Sequence, residues 1–385
     1  MIEADADRFA TLFHALGRAV DTPGHLAALV GADADRRRAA LGHLRNKVIH
    51  QGIPLTATAP AAATVAGLVH DPRLSGAANA DLRAGLVDFL ADVATAGRSY
   101  SDAWLDAWRD ALAPPPGFDA DAALAAVLAS GDDYSEVYAD SPLSYALFRR
   151  GVLGCREVTP LLLTVAVAAL SDPASAVRVQ AARAVAACGA GLADPAPLER
   201  QLAARVAEAG PDERAAMVLA IGEVGGAPRA HLRDPHPGVR ACAALAPALA
   251  DDPAALDEIL AALADPLAPE TWFAEPPPQF DQHIRFTLIA AATARTDDPQ
   301  RLLPAALAVA PVASRHTAAF DVGPFLRPFF AGREPGPLSP VQRRFLTALA
   351  DNDEVWTPGL GAVNRAFREV GLPYDRGECR DLADG

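Results

Sequence analysis

Lysine is almost missing from this chain of 385 residues. Lys47 stands alone, and every other basic side chain is arginine, which reflects coding bias rather than chemistry. Excess positive charge is missing as well. With a formal net charge of -14 the chain lacks the basic stripe that neutralises phosphates, so nucleic acid and anionic membrane surfaces are disfavoured as partners. The run Arg36, Arg37 and Arg38 reads as a solvated helix face. The four cysteines, Cys155, Cys188, Cys242 and Cys379, form no Cys-x-x-Cys pair and read as small buried residues in a reducing compartment. The opening "MIEADADRF" has no apolar core, which excludes a secretory signal there. The longest apolar run, around Leu161 to Leu170, is too short to span a bilayer. The expected location is the cytoplasm. Glycine-rich phosphate loops, Gly-x-Ser-x-Gly elbows and paired metal-ligand motifs are also missing. No catalytic residue, metal or cofactor is therefore expected.

What remains is helix. Aromatics make up only 6% while alanine dominates a 51% hydrophobic content, a composition suited to helices packed at close distance. β-branched runs and Asn-Gly or Asp-Gly hairpin turns joining alternating segments are scarce. Asp-Pro occurs at Asp71, Asp172, Asp194, Asp234, Asp252, Asp265 and Asp298. Asp accepts hydrogen bonds from the free N–H groups of a helix start, and Pro fits the first turn. Four of these breaks, at Asp172, Asp234, Asp265 and Asp298, recur at 62, 31 and 33 residues. "SDPASAVRVQAARAVAA" (171–187) and "RDPHPGVRACAALAPAL" (233–249) share Asp-Pro, Val-Arg and an Ala-rich helix, with a weaker copy in "GPDERAAMVLAIGEVG" (210–225). An arginine opens each apolar stripe: Arg83 before Leu86, Val87 and Leu90; Arg178 before Ala181, Ala182 and Val185; Arg214 before Met217, Val218 and Ile221; Arg285 before Leu288, Ile289 and Ala292. Aspartate–arginine pairs such as Asp172 with Arg178 read as ladders between repeats.

Asp-Pro-x-x-x-Val-Arg followed by an Ala-rich helix resembles the HEAT repeat, including the variant of phycobilisome-lyase-like proteins. The match is good at Asp172–Arg178 and Asp234–Arg240 and partial at Arg83, Arg214 and Arg285. It extends over roughly residues 25–350. The stretch "HLRNKVIHQG" followed by "TATAPAAATVAGLVHDP" is similar to the opening of bacterial HEAT-repeat proteins. The resemblance implies an all-α, right-handed α-solenoid of stacked antiparallel helix pairs, one array over residues 1–385 with roughly eight to ten units. It implies a binding or scaffold role holding a protein or peptide on a concave face, and not a reaction. The intervals 98–150 and 266–282 depart from the repeat, the second reading as an inserted loop. HEAT-type hydroxylases that bind iron use recurrent His-Glu pairs, and this chain has no such dipeptide.

Candidate contacts follow from these departures. "VIHQGIP" (48–54) reads as the end of a helix running to about Gln51, closed by Gly52 and Pro54; on the other reading His50 and Gln51 line a groove with Lys47. A lyase-like enzyme or small-molecule binder using that groove is the alternative function. His43 and His50 are too far apart along a helix, about 10 Å, to share a metal. The break carrying His231, Asp234 and His236 also reads as a turn, not a metal site. Trp104 and Trp108, one turn apart, are either core or an aromatic platform; with Asp106 they are what a DNA-glycosylase-like repair protein would use, the least favoured function given the acidic charge. The segment 132–145, with Tyr134, Tyr138 and Tyr145 among acidic residues, is either a solvated loop or a docking surface for a basic partner. Trp272 and Phe273, beside Pro276, Pro277 and Pro278, are either an exposed anchor or part of a loop buried on its neighbours.

Overall fold

The computed structural model describes residues 6–130, 137–332, 336–357 and 361–385. Among them the chain is all-α apart from two hairpins of two-residue strands, Phe13–His14 with Gly17–Arg18 and Ile49–His50 with Ile53–Pro54. It divides into two compact units, Met1–Arg205 and Val206–Gly385.

Asp71, Asp252 and Asp298 cap helix starts as the sequence suggests, whereas at Asp172 and Asp234 the aspartate closes a turn ahead of the helix, whose N-cap is Ala174 or His236. Asp71, Asp172, Asp194, Asp234, Asp252 and Asp298 each accept, through Oδ1, the backbone N–H two residues on, across the intervening proline. An arginine six residues further on then locks the turn. Arg178 donates to the carbonyls of Asp172 and Pro173, and Arg240 to those of Asp234 and Pro235. Arg37 donates in the same way to Gly31 and Ala32, where the sequence has no Asp-Pro. This corrects the ladder: Arg178 reaches the carbonyl of Asp172, and the carboxylate of Asp172 is instead gripped by Arg83, at 2.8 and 2.9 Å. Arg214 pairs likewise with Asp234 at 3.0 Å. The apolar residues that follow Arg83, Arg178, Arg214 and Arg285 at the third, fourth and seventh positions are all buried.

In the Met1–Arg205 unit the Ala80–Arg98 helix is central. It packs against the Ala34–His43, Thr58–Leu68, Pro142–Ala169 and Ser175–Gly189 helices. The Pro142–Ala169 helix, of 28 residues, has the length and apolar composition to cross a membrane, so the expectation drawn from the Leu161–Leu170 run was too short. Its buried residues, Val152, Cys155 and Leu162 among them, pack inside the unit. In the Val206–Gly385 unit, consecutive helices pack in series from Pro211–Glu223 through Pro237–Ala244 and Pro253–Leu263 to Ile284–Arg295, and Pro340–Ala350 packs on Pro299–Val309 and Arg376–Asp384. Phe325, Phe329, Phe330 and Phe345 interlock beneath them. Burial pushes the thiols of all four cysteines up, away from the nucleophilic thiolate.

One element differs in kind from the sequence expectation. The Ala34–His43 helix does not run to Gln51; it widens into a π-helical turn over Leu44–Val48 and then enters the Ile49–Pro54 hairpin. Gln51 and Gly52 form its two-residue turn, both with positive φ, 51° and 75°. That twist suits a tight hairpin, and Gly52 supplies it without a Cβ clash. Gly52 therefore ends a hairpin turn and not a helix.

Candidate functional site

The first hairpin is clamped onto the π-helical turn. Ala15 N–H donates to Lys47 O at 2.9 Å, and Phe13 is held by the Thr56 hydroxyl and the Ala57 N–H. This brings His14 to the start of the Thr22–Ala28 helix, where Asp21 and Thr22 sit. His43, at the end of the next helix, reaches the same point, and the π-helical turn delivers Lys47 beside it. His14 Nε2 lies 2.9 Å from Asp21 Oδ1, and Lys47 Nζ lies 2.9 Å from Asp21 Oδ2. Leu16 N–H donates to His14 Nδ1 at 3.2 Å, so the ring proton of neutral His14 sits on Nε2, facing the carboxylate. His43 Nε2 meets the Thr22 hydroxyl at 2.9 Å. Its Nδ1 is buried, has no hydrogen-bond partner among the described residues and lies 3.8 Å from Asp21 Oδ2. His25 stacks on His43 with ring centroids 4.2 Å apart, and His14 meets it edge-on.

Electrostatics fix the protonation states. Burial raises the Asp21 carboxyl, but hydrogen bonds from Lys47 and His14 and the nearby histidine rings outweigh it and hold the pKa down to about 2. Burial, then repulsion from His25, lowers His43 to about 4 against the pull of Asp21. At neutral pH Asp21 is therefore a carboxylate and His43 is neutral. The order Thr22–His43–Asp21 follows that of a nucleophile–base–acid triad. Thr22 has no exposed surface, so no substrate can reach its hydroxyl, and the arrangement is not a hydrolytic centre.

Of the residues singled out from the sequence, the structure brings three to this cluster, His43 among them. Lys47 enters it directly. The Tyr138 hydroxyl accepts from Gly17 N–H at 2.9 Å and donates to His14 O, bracing the hairpin. His50 and Gln51 are exposed on the second hairpin, while His43 is buried. Gln51 and Gly52 line a cleft of about 290 Å³ with Arg45, Ile49, Asp92, Thr95, Ala96 and Ser99. Trp104 and Trp108 lie in a cluster with Tyr100, Tyr145 and Phe148, with Trp104 rings 5.0 Å from Tyr100 and 5.3 Å from Trp108. Trp104 is 46% exposed, so this cluster is both packed and presented. Asp106 is exposed and paired with Arg109 at 3.1 Å. Tyr134 lies outside the described residues.

Phe273 is not an exposed anchor. It is buried on the start of the Pro237–Ala244 helix, where a Cβ added at Gly238 would come 2.2 Å from its Cζ; Trp272 is half-buried beside it. Gly238→Ala is therefore expected to force the ring out and cost about 1–3 kcal/mol. Urea unfolding of Gly238→Ala and of Gly238→Ala/Phe273→Ala checks this. The two substitutions should couple strongly, and simple additivity would refute the packing. The sequence reading missed His14, Asp21, Thr22 and His25. One signal pointed to the two histidines: four of the nine histidines fall within the first 50 residues.

No protein-family model matches the chain, and no curated protein does. Among solved structures the chain is similar to the crystal structure of an engineered protein, at 14% identity over 94% of this chain and 97% of that one, with a TM-score of 0.26. A likeness that low bears on neither fold nor function.

Proposed function

We propose that this chain is a cytoplasmic, HEAT-like binding module: a right-handed α-solenoid of stacked antiparallel helix pairs that holds a basic peptide or protein segment on its concave face. The recurrent lock supports the architecture, with an Asp turn closed by an arginine six residues on and a carboxylate gripped by an arginine from another helix. Four buried, unpaired cysteines suit a reducing compartment.

The observation that carries the binding role is the tryptophan platform. Trp104 stays half-exposed while Tyr100, Trp108 and Phe148 pack against it, the arrangement of a preorganised aromatic anchor at a binding hot spot. Asp102, Asp106 and Asp110 lie on the same exposed helix, on the side turned away from Trp104, and with the net charge of -14 they favour a basic partner. A second reading has one specific observation in its favour: the cleft beside Gln51, with Arg45 and Asp92 on its walls, has a volume suited to a small polar molecule.

The test is selection of peptides from a random library against the full chain, followed by affinity measurement. Trp104→Ala is expected to weaken the selected peptides by about 2 kcal/mol, roughly thirtyfold. Unchanged affinity in Trp104→Ala would overturn the platform reading, and loss in Arg45→Ala alone would move the site to the cleft.

A further inference from the structure

We infer that His14, Asp21 and His43 form a binding site for one divalent transition-metal cation of the Zn²⁺, Co²⁺ or Fe²⁺ type, entered by displacing the Lys47 ammonium from Asp21.

Four observations meet there. The first is spacing. One ligand atom from each of the three residues can be chosen so that all lie within 4.8 Å of one another. Bonds of about 2 Å in a tetrahedral site put donor atoms about 3.3 Å apart. The His14–Asp21 and His43–Asp21 approaches, 2.9 and 3.8 Å, already bracket that spacing. The second is His43 itself. Its side chain is 2% exposed, yet Nδ1 has no hydrogen-bond partner among the described residues and faces Asp21. A buried polar atom left unmatched is costly, and a metal ion would use its lone pair. The third is the far side of the same ring: Nε2 meets the Thr22 hydroxyl, as ligating histidines present their second N–H to an oxygen. The fourth is the occupant. Asp21 already holds a cation, the ammonium of the chain's single lysine, at 2.9 Å. Lys47 is one-third exposed and free to swing into water, so the site exchanges one cation for another.

The donor set decides the class of ion. Two imidazole nitrogens and one carboxylate oxygen suit borderline transition metals, whereas Mg²⁺ and Ca²⁺ favour all-oxygen shells. Three protein ligands leave a fourth position for water. Binding moves the proton of neutral His14 from Nε2 to Nδ1. Leu16 N–H, which now points at Nδ1 from the exposed hairpin tip, must turn aside.

The experiment is Co²⁺ titration of the chelator-treated full chain, read by visible absorption and calorimetry, with circular dichroism to confirm folding. Wild type is expected to bind one equivalent with a low-symmetry Co²⁺ band that Zn²⁺ displaces and Mg²⁺ does not. His43→Gln is expected to bind on the order of 10 to 100 times more weakly. Lys47→Met, which keeps all three donors, is expected to bind more tightly, and His50→Ala to match wild type. No band in either wild type or Lys47→Met would overturn the proposal. So would equal binding by wild type and folded His43→Gln, which would place the ion elsewhere.

Discussion

Asp321→Ala is expected to destabilise the Val206–Gly385 unit by about 3–5 kcal/mol. Asp321 is fully buried and pairs with Arg285 through both oxygens, at 2.8 and 3.3 Å, while the Arg285 side chain is only 5% exposed. Removing the carboxylate leaves a guanidinium in a dry interior. Its other neighbours do not replace the lost partner: the nearest Glu270 oxygen is 3.9 Å from Arg285 Nη1, and the Phe286 ring offers only a cation–π contact at 4.9 Å. The cost therefore comes from the stranded charge and not from the lost attraction. Arg285→Met/Asp321→Leu, which removes both charges at similar volume, is expected to lie near wild type or above it. Urea unfolding of the full chain, with hydrogen exchange across residues 284–330 to place the effect, distinguishes the two variants. A single substitution no worse than the double one would refute the account.

The sequence made local chemistry legible and long-range chemistry illegible. Asp172 and Asp234 announced their turns because the aspartate, the proline and the locking arginine lie within seven residues of one another. The buried stripes after Arg83, Arg178, Arg214 and Arg285 were readable for the same reason, since one turn of helix sets their spacing. The partner of the Asp172 carboxylate was not, because Arg83 is 89 residues away. The hairpin at Ile49–Pro54 was hidden by its turn: Gln-Gly lacks the Asn or Asp that marks a two-residue turn, and Gln51 adopts a φ of 51° that its side chain does not favour. The histidine–carboxylate cluster was hidden more deeply. It draws His14 from a hairpin, Asp21 and Thr22 from a helix start, His43 from a helix end and Lys47 from a π-helical turn, and no spacing rule connects those positions. Phe273 was left between two readings, and packing decided it. Aromatics beside a proline run suggested a presented loop, but the bare backbone at Gly238 gave the ring a place to pack.

The second large effect belongs to the Met1–Arg205 unit, where one guanidinium holds three segments. Arg83 donates to both Asp172 oxygens and to the carbonyls of Leu74 and Gly76, at 2.7 and 2.8 Å. Arg83→Met keeps the apolar stem but strands the carboxylate and both carbonyls, and is expected to cost about 3–5 kcal/mol at neutral pH. Acid should erase part of that difference. Burial raises the Asp172 carboxyl, but the Arg83 hydrogen bonds and the Ala174 N–H outweigh it and leave the pKa below its ordinary 3.8. A depressed carboxyl contributes stability that is complete above the unfolded value and is lost as pH falls through the folded one. Wild type thus loses this contribution on acidification, whereas Arg83→Met has already lost it. The stability gap between the two should narrow as the pH falls below about 4, toward and through the folded value, and Asp172→Asn should show little further loss over that range. Urea midpoints measured across it provide the check. Because other carboxylates titrate alike in both proteins, the difference isolates this pair; a gap that stays constant with pH would mean that Asp172 gains nothing from Arg83 as a charge.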